Sequence, residues 1–222
     1  GGVHGANRLG GNGVANSTVF GGIAGDVMPG FIAQSPHWRA PDEAILAAEI
    51  ERASHPFRRG AGDINELRET LLDLMWEDVG VMRDARGMHR ALDGLDDIEA
   101  RLMAAGVADG DRAYNLTWHD WLNLRSQIEI SRVITQAALA RENSRGAHYR
   151  EDFPDAGDLE ASTYTVAMQK NGAGQKDGNT ARAGGLSISQ SPVKFTIVKP
   201  GDTLLVEQVG LDEQPDAGEE LK

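Results

Sequence analysis

Two short stretches hold residue types that could do chemistry. In "HGANRLGGNGV" (His4 to Val14), Gly10, Gly11 and Gly13 surround Asn12 immediately before a helix start. Such a turn lets backbone N–H groups approach an anion or a polar heterocycle, aided by the positive end of the helix. An ordinary glycine-rich strand-to-helix turn has the same spacing, and the glycines alone do not separate the two. Arg8 adds to the first reading, because no carboxylate precedes Asp26 and a guanidinium among glycines is suited to grip an external carboxylate bidentately. The competing reading is a surface arginine paired with a distant acid.

The second stretch is "ENSRGAHYREDFP" (Glu142 to Pro154), in which Arg145, His148 and Arg150 crowd beside Glu151 and Asp152. These side chains could touch a ligand. The favoured reading is structural: they end a long helix and dock its bundle through charge-assisted hydrogen bonds.

Other candidates for chemistry are weaker. His37, His55, His89 and His119 lack metal-ligand spacing, so no metal site is expected. Trp38, Trp76, Trp118 and Trp121 read as helix packing, and the acidic "LDGLDDIEARL" as a solvated helix face. The glycine-rich opening has no lysine, which disfavours an independent nucleotide-phosphate loop. The absence of cysteine excludes disulfides and thiolate-held clusters within the chain. With 34 acidic and 22 basic residues the formal net charge is −12, which repels phosphate backbones, so nucleic acid is not an expected partner. No apolar run approaches the roughly 18 to 20 residues of a membrane helix, so direct membrane insertion is not expected either.

The elements that must position these residues are mostly helical. A short helix is expected through "VANSTVFGGIAGDVM", closed by Pro29 and Gly30, and another in "APDEAILAAEIERA" after a connector. Asp63 and Glu66 form a capping-box pair ahead of an apolar pattern at Ile64, Leu67, Leu71, Leu74, Met75 and Val79, which predicts a helix over about 64–83. Met88, Leu92, Leu95, Ile98 and Leu102 mark a helix ending near Gly106. The longest helix is expected from a second capping box, Thr117 with Asp120, to about Arg141, with Trp121, Leu124, Ile128, Ile134 and Ala138 on one face. These three helices most simply form an antiparallel bundle. Beyond Pro154, "STYTVAMQ", "VKFTIV" and "TLLVEQV" read as two or three strands, with a polar glycine-rich loop "KNGAGQKDGNTARAGGLSISQS" after the first and an acidic tail after Leu211.

Taken together, "HGANRLGGN" followed by a small-residue helix, and "SRGAHYREDFP" after a helical region, resemble the two signatures of the succinate dehydrogenase and fumarate reductase flavoprotein family. The resemblance covers roughly residues 1–155, with no detailed match in the strand region. It implies a mainly α fold with a small β region, in which a C-terminal three-helix bundle follows the last segment of an FAD-binding α/β domain. The division expected is a remnant of the FAD domain over 1–30, a connector with a short helix over 31–60, the bundle over 61–155, a β-containing extension over 156–211 and an acidic tail over 212–222.

The resemblance also implies roles. Arg8 matches the arginine that binds a carboxylate of the dicarboxylic acid, and Gly11 borders the substrate. Asn12, Gly13 and Val14 bring backbone to the pyrimidine edge of FAD, Gly13 and Val14 standing where the family has Ser-Leu, so that a main-chain contact is kept and a hydroxyl is lost. Arg145, His148 and Arg150 would dock the bundle onto the flavin domain. The dinucleotide-binding fingerprint and the proton-donating arginine are expected upstream of residue 1, leaving no catalytic residue in this chain and an isolated fragment without activity. The implied reaction interconverts succinate and fumarate by hydride transfer to or from FAD. The implied protein partner is an iron–sulfur electron-transfer subunit, and the implied location is the cytoplasm or, through partner subunits, the inner face of a membrane. L-aspartate oxidase, which has similar motifs, and a non-catalytic helical docking module are the alternatives.

Overall fold

The computed structural model describes residues 10–34, 40–169, 185–196 and 199–202. Arg8, His37, Trp38, the segment "TLLVEQV" and the acidic tail lie outside the described residues.

The chain runs through α1 (Asn12–Gln34), α2 (Glu43–Ser54), a 3₁₀ turn (His55–Arg58), α3 (Ile64–Val79), α4 (Ala85–Ala104), α5 (Leu116–Leu139), β1 (Thr163–Gln169) and β2 (Leu186–Pro192). Helix α1 does not stop at Pro29. The proline removes one N–H from the ladder and the helix resumes beyond it to Gln34, with none of its residues buried.

Helices α3, α4 and α5 form the bundle, and the local chemistry of each start is an acid or amide side chain accepting a first-turn N–H. Asp63 accepts from the Glu66 N–H at 2.9 Å, Asp84 from Gly87 at 2.6 Å and Asn115 from Trp118 at 2.9 Å. Two expectations change here. The Glu66 carboxylate does not close a capping box; it binds Arg101 of α4 at 2.7 and 2.9 Å, joining the two helices. The start of α5 belongs to Asn115 rather than Thr117, because the Asn115 amide also donates to the carbonyls of Asp109 and Asp111 at 2.9 and 2.8 Å, fixing the preceding loop. Helix α3 also ends short of 83, since the chain after Gly80 turns so that Arg83 can pair with Arg150 as an isolated parallel bridge.

The core is built from Ile64, Leu67 and Leu71 of α3, Leu95, Ile98 and Leu102 of α4 and Trp121, Leu124 and Ile128 of α5, with Val107 closing one end. On α5 the buried face continues through Ser131, Thr135 and Ala138, while Ile134 is 46% exposed. Positions 124, 128, 131, 135 and 138 keep the alternating three-and-four step of one helical stripe, from which 134 is displaced by one residue. Thr135 tolerates full burial because its hydroxyl donates to the Ser131 carbonyl at 2.8 Å. Trp121 is buried and donates to the carbonyls of Leu102 and Ala105 at 3.1 and 3.0 Å, and Trp118 donates to that of Ala53 at 2.8 Å. Trp76, expected in helix packing, is instead 69% exposed.

The small sheet pairs β1 with β2 antiparallel, with Tyr164 opposite Ser191 and Val166 opposite Ser189. The second strand is therefore "LSISQSP", a stretch expected within the polar loop, and residues 193–196 of "VKFTIV" are not in a strand. The alternation of Leu186 and Ile188 with serines is the period-2 signal that marks it. The hairpin is tied to the bundle by Gln190, whose amide donates to the Ala140 carbonyl just past α5 at 2.9 Å.

Candidate functional site

Of the first candidate site, Gly11 to Val14 are described. Gly11 has φ 81°, a left-handed conformation that glycine adopts without strain, and it leads into α1 at Asn12. Among the described residues a Cβ at Gly10 or Gly11 would meet nothing within 4 Å, so the turn presents its backbone away from them. The first turn of α1 contains no acidic residue to neutralise the positive helix end. Its leading N–H groups, including those of Gly13 and Val14, have no intrahelical acceptor by helix geometry. The structure thus places Gly11, Asn12, Gly13 and Val14 on one open helix terminus; whether Arg8 joins them lies outside the described residues.

The second motif is a knot at the end of α5. Arg145 and His148 close a two-way turn, with Arg145 N–H to the His148 carbonyl at 2.8 Å and the reverse bond at 3.0 Å. Arg150 is the most consequential residue, 1% exposed. Its Nη1 donates to the carbonyls of Ala138, Leu139 and Arg141 at 3.2, 2.8 and 3.2 Å, which serves the orphan carbonyls of the helix end. Its Nε and Nη2 grip both oxygens of Asp152 at 2.8 and 2.6 Å, and its guanidinium lies 4.8 Å from the centre of the Phe153 ring. Arg145 reaches forward instead, to the carbonyls of Ala156 and Asp158 at 2.6 and 2.8 Å and to the Ser162 hydroxyl at 2.8 Å, holding the loop that leads into β1. His148 Nε2 lies 3.2 Å from the Arg141 carbonyl. Among the described residues these three side chains end α5 and brace the loop after it, and the flavin domain onto which the motif is expected to dock lies outside this chain.

Electrostatics follow from this packing. The Arg150 guanidinium, with help from the Ala85 N–H at 3.0 Å, pulls the Asp152 carboxyl down to about 2 against the opposing effect of burial. Burial lowers His148, and the nearby charges of Arg83, Arg141 and Arg150 add to this, outweighing its bond to the Arg141 carbonyl, which favours the charged form. Sequence reasoning missed Arg83, Arg141, Ser144 and Ala85 as parts of this knot. Ser144 was legible as a neighbour, and its hydroxyl donates to the Phe153 carbonyl at 2.8 Å and accepts from the Arg150 N–H at 2.9 Å. Arg83 and Ala85 were not, being more than sixty residues away along the chain with no motif of their own.

Residues 68–204 match the family model described as fumarate reductase flavoprotein C-term. The chain belongs to this family. The match takes in both strands, so the resemblance does not stop near 155 as the motifs suggested. Over 158 residues the chain is 35% identical to an uncharacterized FAD-dependent oxidoreductase of Methanocaldococcus jannaschii, covering 70% of this chain and 28% of that protein. It is 36% identical over 155 residues to a chain of the fumarate reductase (CoM/CoB) of Methanothermobacter marburgensis, again 70% of this chain and 28% of the relative. Among solved structures, a chain of quinol fumarate reductase from E. coli superposes with a TM-score of 0.77 at 25% identity, covering 90% of this chain and 33% of that one. The chain thus spans about a quarter to a third of the length of the proteins it matches. The fold class expected from the motifs, mainly helical with a small sheet, is that of the fumarate reductase flavoprotein C-terminal region.

Proposed function

We propose that this chain is the C-terminal part of a flavin-dependent oxidoreductase that interconverts succinate and fumarate, or a similar dicarboxylate pair. The observation that carries this reading is the family match over residues 68–204, supported by relatives named as fumarate reductases. When bound, FAD supplies the acceptor or donor of the hydride.

This chain's own residues then have limited roles. Arg8 binds one carboxylate of the substrate as a bidentate partner, and Gly11 leaves room beside it. The backbone at Asn12, Gly13 and Val14 would hold the flavin, and the helix N-terminus there would favour negative charge beside it. The turn with Gly11 at φ 81° suits this role, because a side chain there would be strained. One open turn is a single wall of such a site, so the remaining walls belong to the flavin-binding part, of which residues 1–30 form the last segment. The electron partner in this reading is an iron–sulfur protein, and partner subunits hold the flavoprotein peripherally at the inner face of a membrane; among the described residues no helix is long and apolar enough to cross a membrane.

The test is an assay of the flavoprotein carrying this chain on succinate, fumarate and L-aspartate, with Arg8→Gln alongside. Succinate–fumarate turnover, with a KM raised at least tenfold by Arg8→Gln and FAD content unchanged, is the expected result. Activity on L-aspartate alone, or an unchanged KM, overturns the assignment.

A further inference from the structure

Asn12 is followed by Gly13, the pairing in which an asparagine side chain reacts most readily with its own backbone, because glycine sets no side chain against the approach. Among the described residues no other asparagine precedes a glycine. The nucleophile in that reaction is the Gly13 nitrogen. As a first-turn group of α1 its N–H has no intrahelical acceptor, so no helical hydrogen bond has to break before it reacts. The turn around it is weakly held: the Ala15 N–H reaches the Gly11 carbonyl only at 3.4 Å, and α1 buries none of its residues. Rotating Asn12 out of the helical conformation, which brings its Cγ within reach of the Gly13 nitrogen, therefore costs little more than fraying one helix end. Asn12 is also partly exposed, which admits water.

Charge favours the same step. The first turn of α1 carries no acidic residue, so no side chain there answers the positive end of the helix. Attack requires the Gly13 nitrogen to give up its proton, and it builds negative charge on the Asn12 amide oxygen. A helix N-terminus stabilises both anionic species. We propose that Asn12 is a site of spontaneous deamidation. The Gly13 nitrogen bonds to Asn12 Cγ, the Cγ–Nδ2 bond breaks, and ammonia leaves with the proton that the Gly13 nitrogen gave up. The five-membered succinimide that remains is opened by water at either carbonyl, which yields aspartate or isoaspartate at position 12. Water is the sole co-reactant, and no electrons change hands. The aspartate product supplies the acid that the first turn lacks. The modification does not depend on the functional reading. If that reading holds, the new carboxylate also cancels the helix charge set beside the flavin, so the reaction ages the site and spares the bundle.

The experiment incubates the 222-residue chain at neutral and at mildly alkaline pH in water enriched in heavy oxygen, beside Gly13→Ala and beside wild type held unfolded in urea. Mass spectrometry of the tryptic peptide from Leu9 to Arg39, with fragmentation that separates aspartate from isoaspartate, reads conversion at Asn12. The same peptide holds an internal comparison in Asn16, which lies on the same helix and precedes Ser17. Conversion at Asn12 is expected to be at least tenfold faster than at Asn16, to rise with pH, to take up heavy oxygen and to give isoaspartate as the main product. Gly13→Ala is expected to slow it at least tenfold, and the folded chain to react within about tenfold of the rate in urea. Aspartate without isoaspartate, or a rate unchanged in Gly13→Ala, would mean direct hydrolysis of the side chain and overturn the proposal. So would an Asn12 no faster than Asn16, or a folded chain slower than that tenfold margin, since the helix would then be withholding the Gly13 nitrogen. These rates are read without FAD or turnover, so a flavoprotein inactive on succinate would defeat the functional reading while leaving this result intact.

Discussion

At the scale of single residues, Arg150 and Asp152 show how one pair can serve a whole helix end. Arg150 is buried, so its charge is tolerable only because Asp152 answers it on one side and three carbonyls on the other. Linkage gives this a sign. The folded-state Asp152 carboxyl sits at about 2, below the ordinary value of about 3.9 that it has when unfolded. Its contribution is therefore fully present above about pH 4 and is lost as pH falls through the folded value near 2. Urea unfolding of wild type and Asp152→Asn at pH 7, 5, 4 and 3 should show the wild-type advantage, about 1 kcal/mol after allowing for screening of a side chain still 30% exposed, shrinking across the lower half of that series. An advantage that stays constant to pH 3, once the other carboxylates common to both proteins are subtracted, would remove Asp152 as its source. Arg145, His148 and Arg150 were visible in the sequence as a cluster, and their type alone suggested charge-assisted bonding. Their partners were not visible, since backbone carbonyls carry no sequence signature and Arg83 comes from a distant loop.

At the scale of elements, the three bundle helices were legible because each has an apolar stripe, and α3 has its Asp63 cap in sequence as well. Where the reading slipped, a polar residue had taken an apolar place or an amide had taken a hydroxyl's: Thr135 rather than Ile134 in the stripe of α5, and Asn115 rather than Thr117 at its start. The clasp at one end of the bundle had no signature of either kind. There the Gly106 N–H donates to the Gly60 carbonyl at 2.7 Å and the Gly62 N–H returns to Gly106 at 3.1 Å. A Cβ at Gly106 would lie 2.4 Å from the carbonyl oxygens of both Pro56 and Arg59, and backbone cannot step aside as a flexible side chain can. Gly106→Ala is therefore expected to destabilise the protein by about 2–3 kcal/mol. The same substitution should shift the fluorescence of the buried Trp121, which bonds the neighbouring Ala105 carbonyl at 3.0 Å. Chemical unfolding monitored by tryptophan emission measures both, and a loss under about 0.5 kcal/mol would mean that the clasp is not tight.

At the scale of the whole molecule, the bundle and the glycine-rich opening are unequal. The bundle has its own core and its own caps, whereas α1 buries none of its residues and carries exposed Phe20, Ile23, Val27 and Phe31 along its length. A turn that presents one open edge cannot enclose a flavin. Mixing the 222-residue chain with FAD and passing it through gel filtration should leave the protein colourless, while the flavoprotein carrying it should retain flavin. A yellow stoichiometric complex of the isolated chain would contradict the single-wall picture. By itself the sequence determined the helical bundle, through the period of its apolar residues, and the family, through two motifs whose side chains and spacing are specific. The tertiary structure alone decided which acceptors Arg145 and Arg150 reach. A guanidinium has five donors and no preference for near neighbours in the chain, so only the folded backbone shows where its acceptors are.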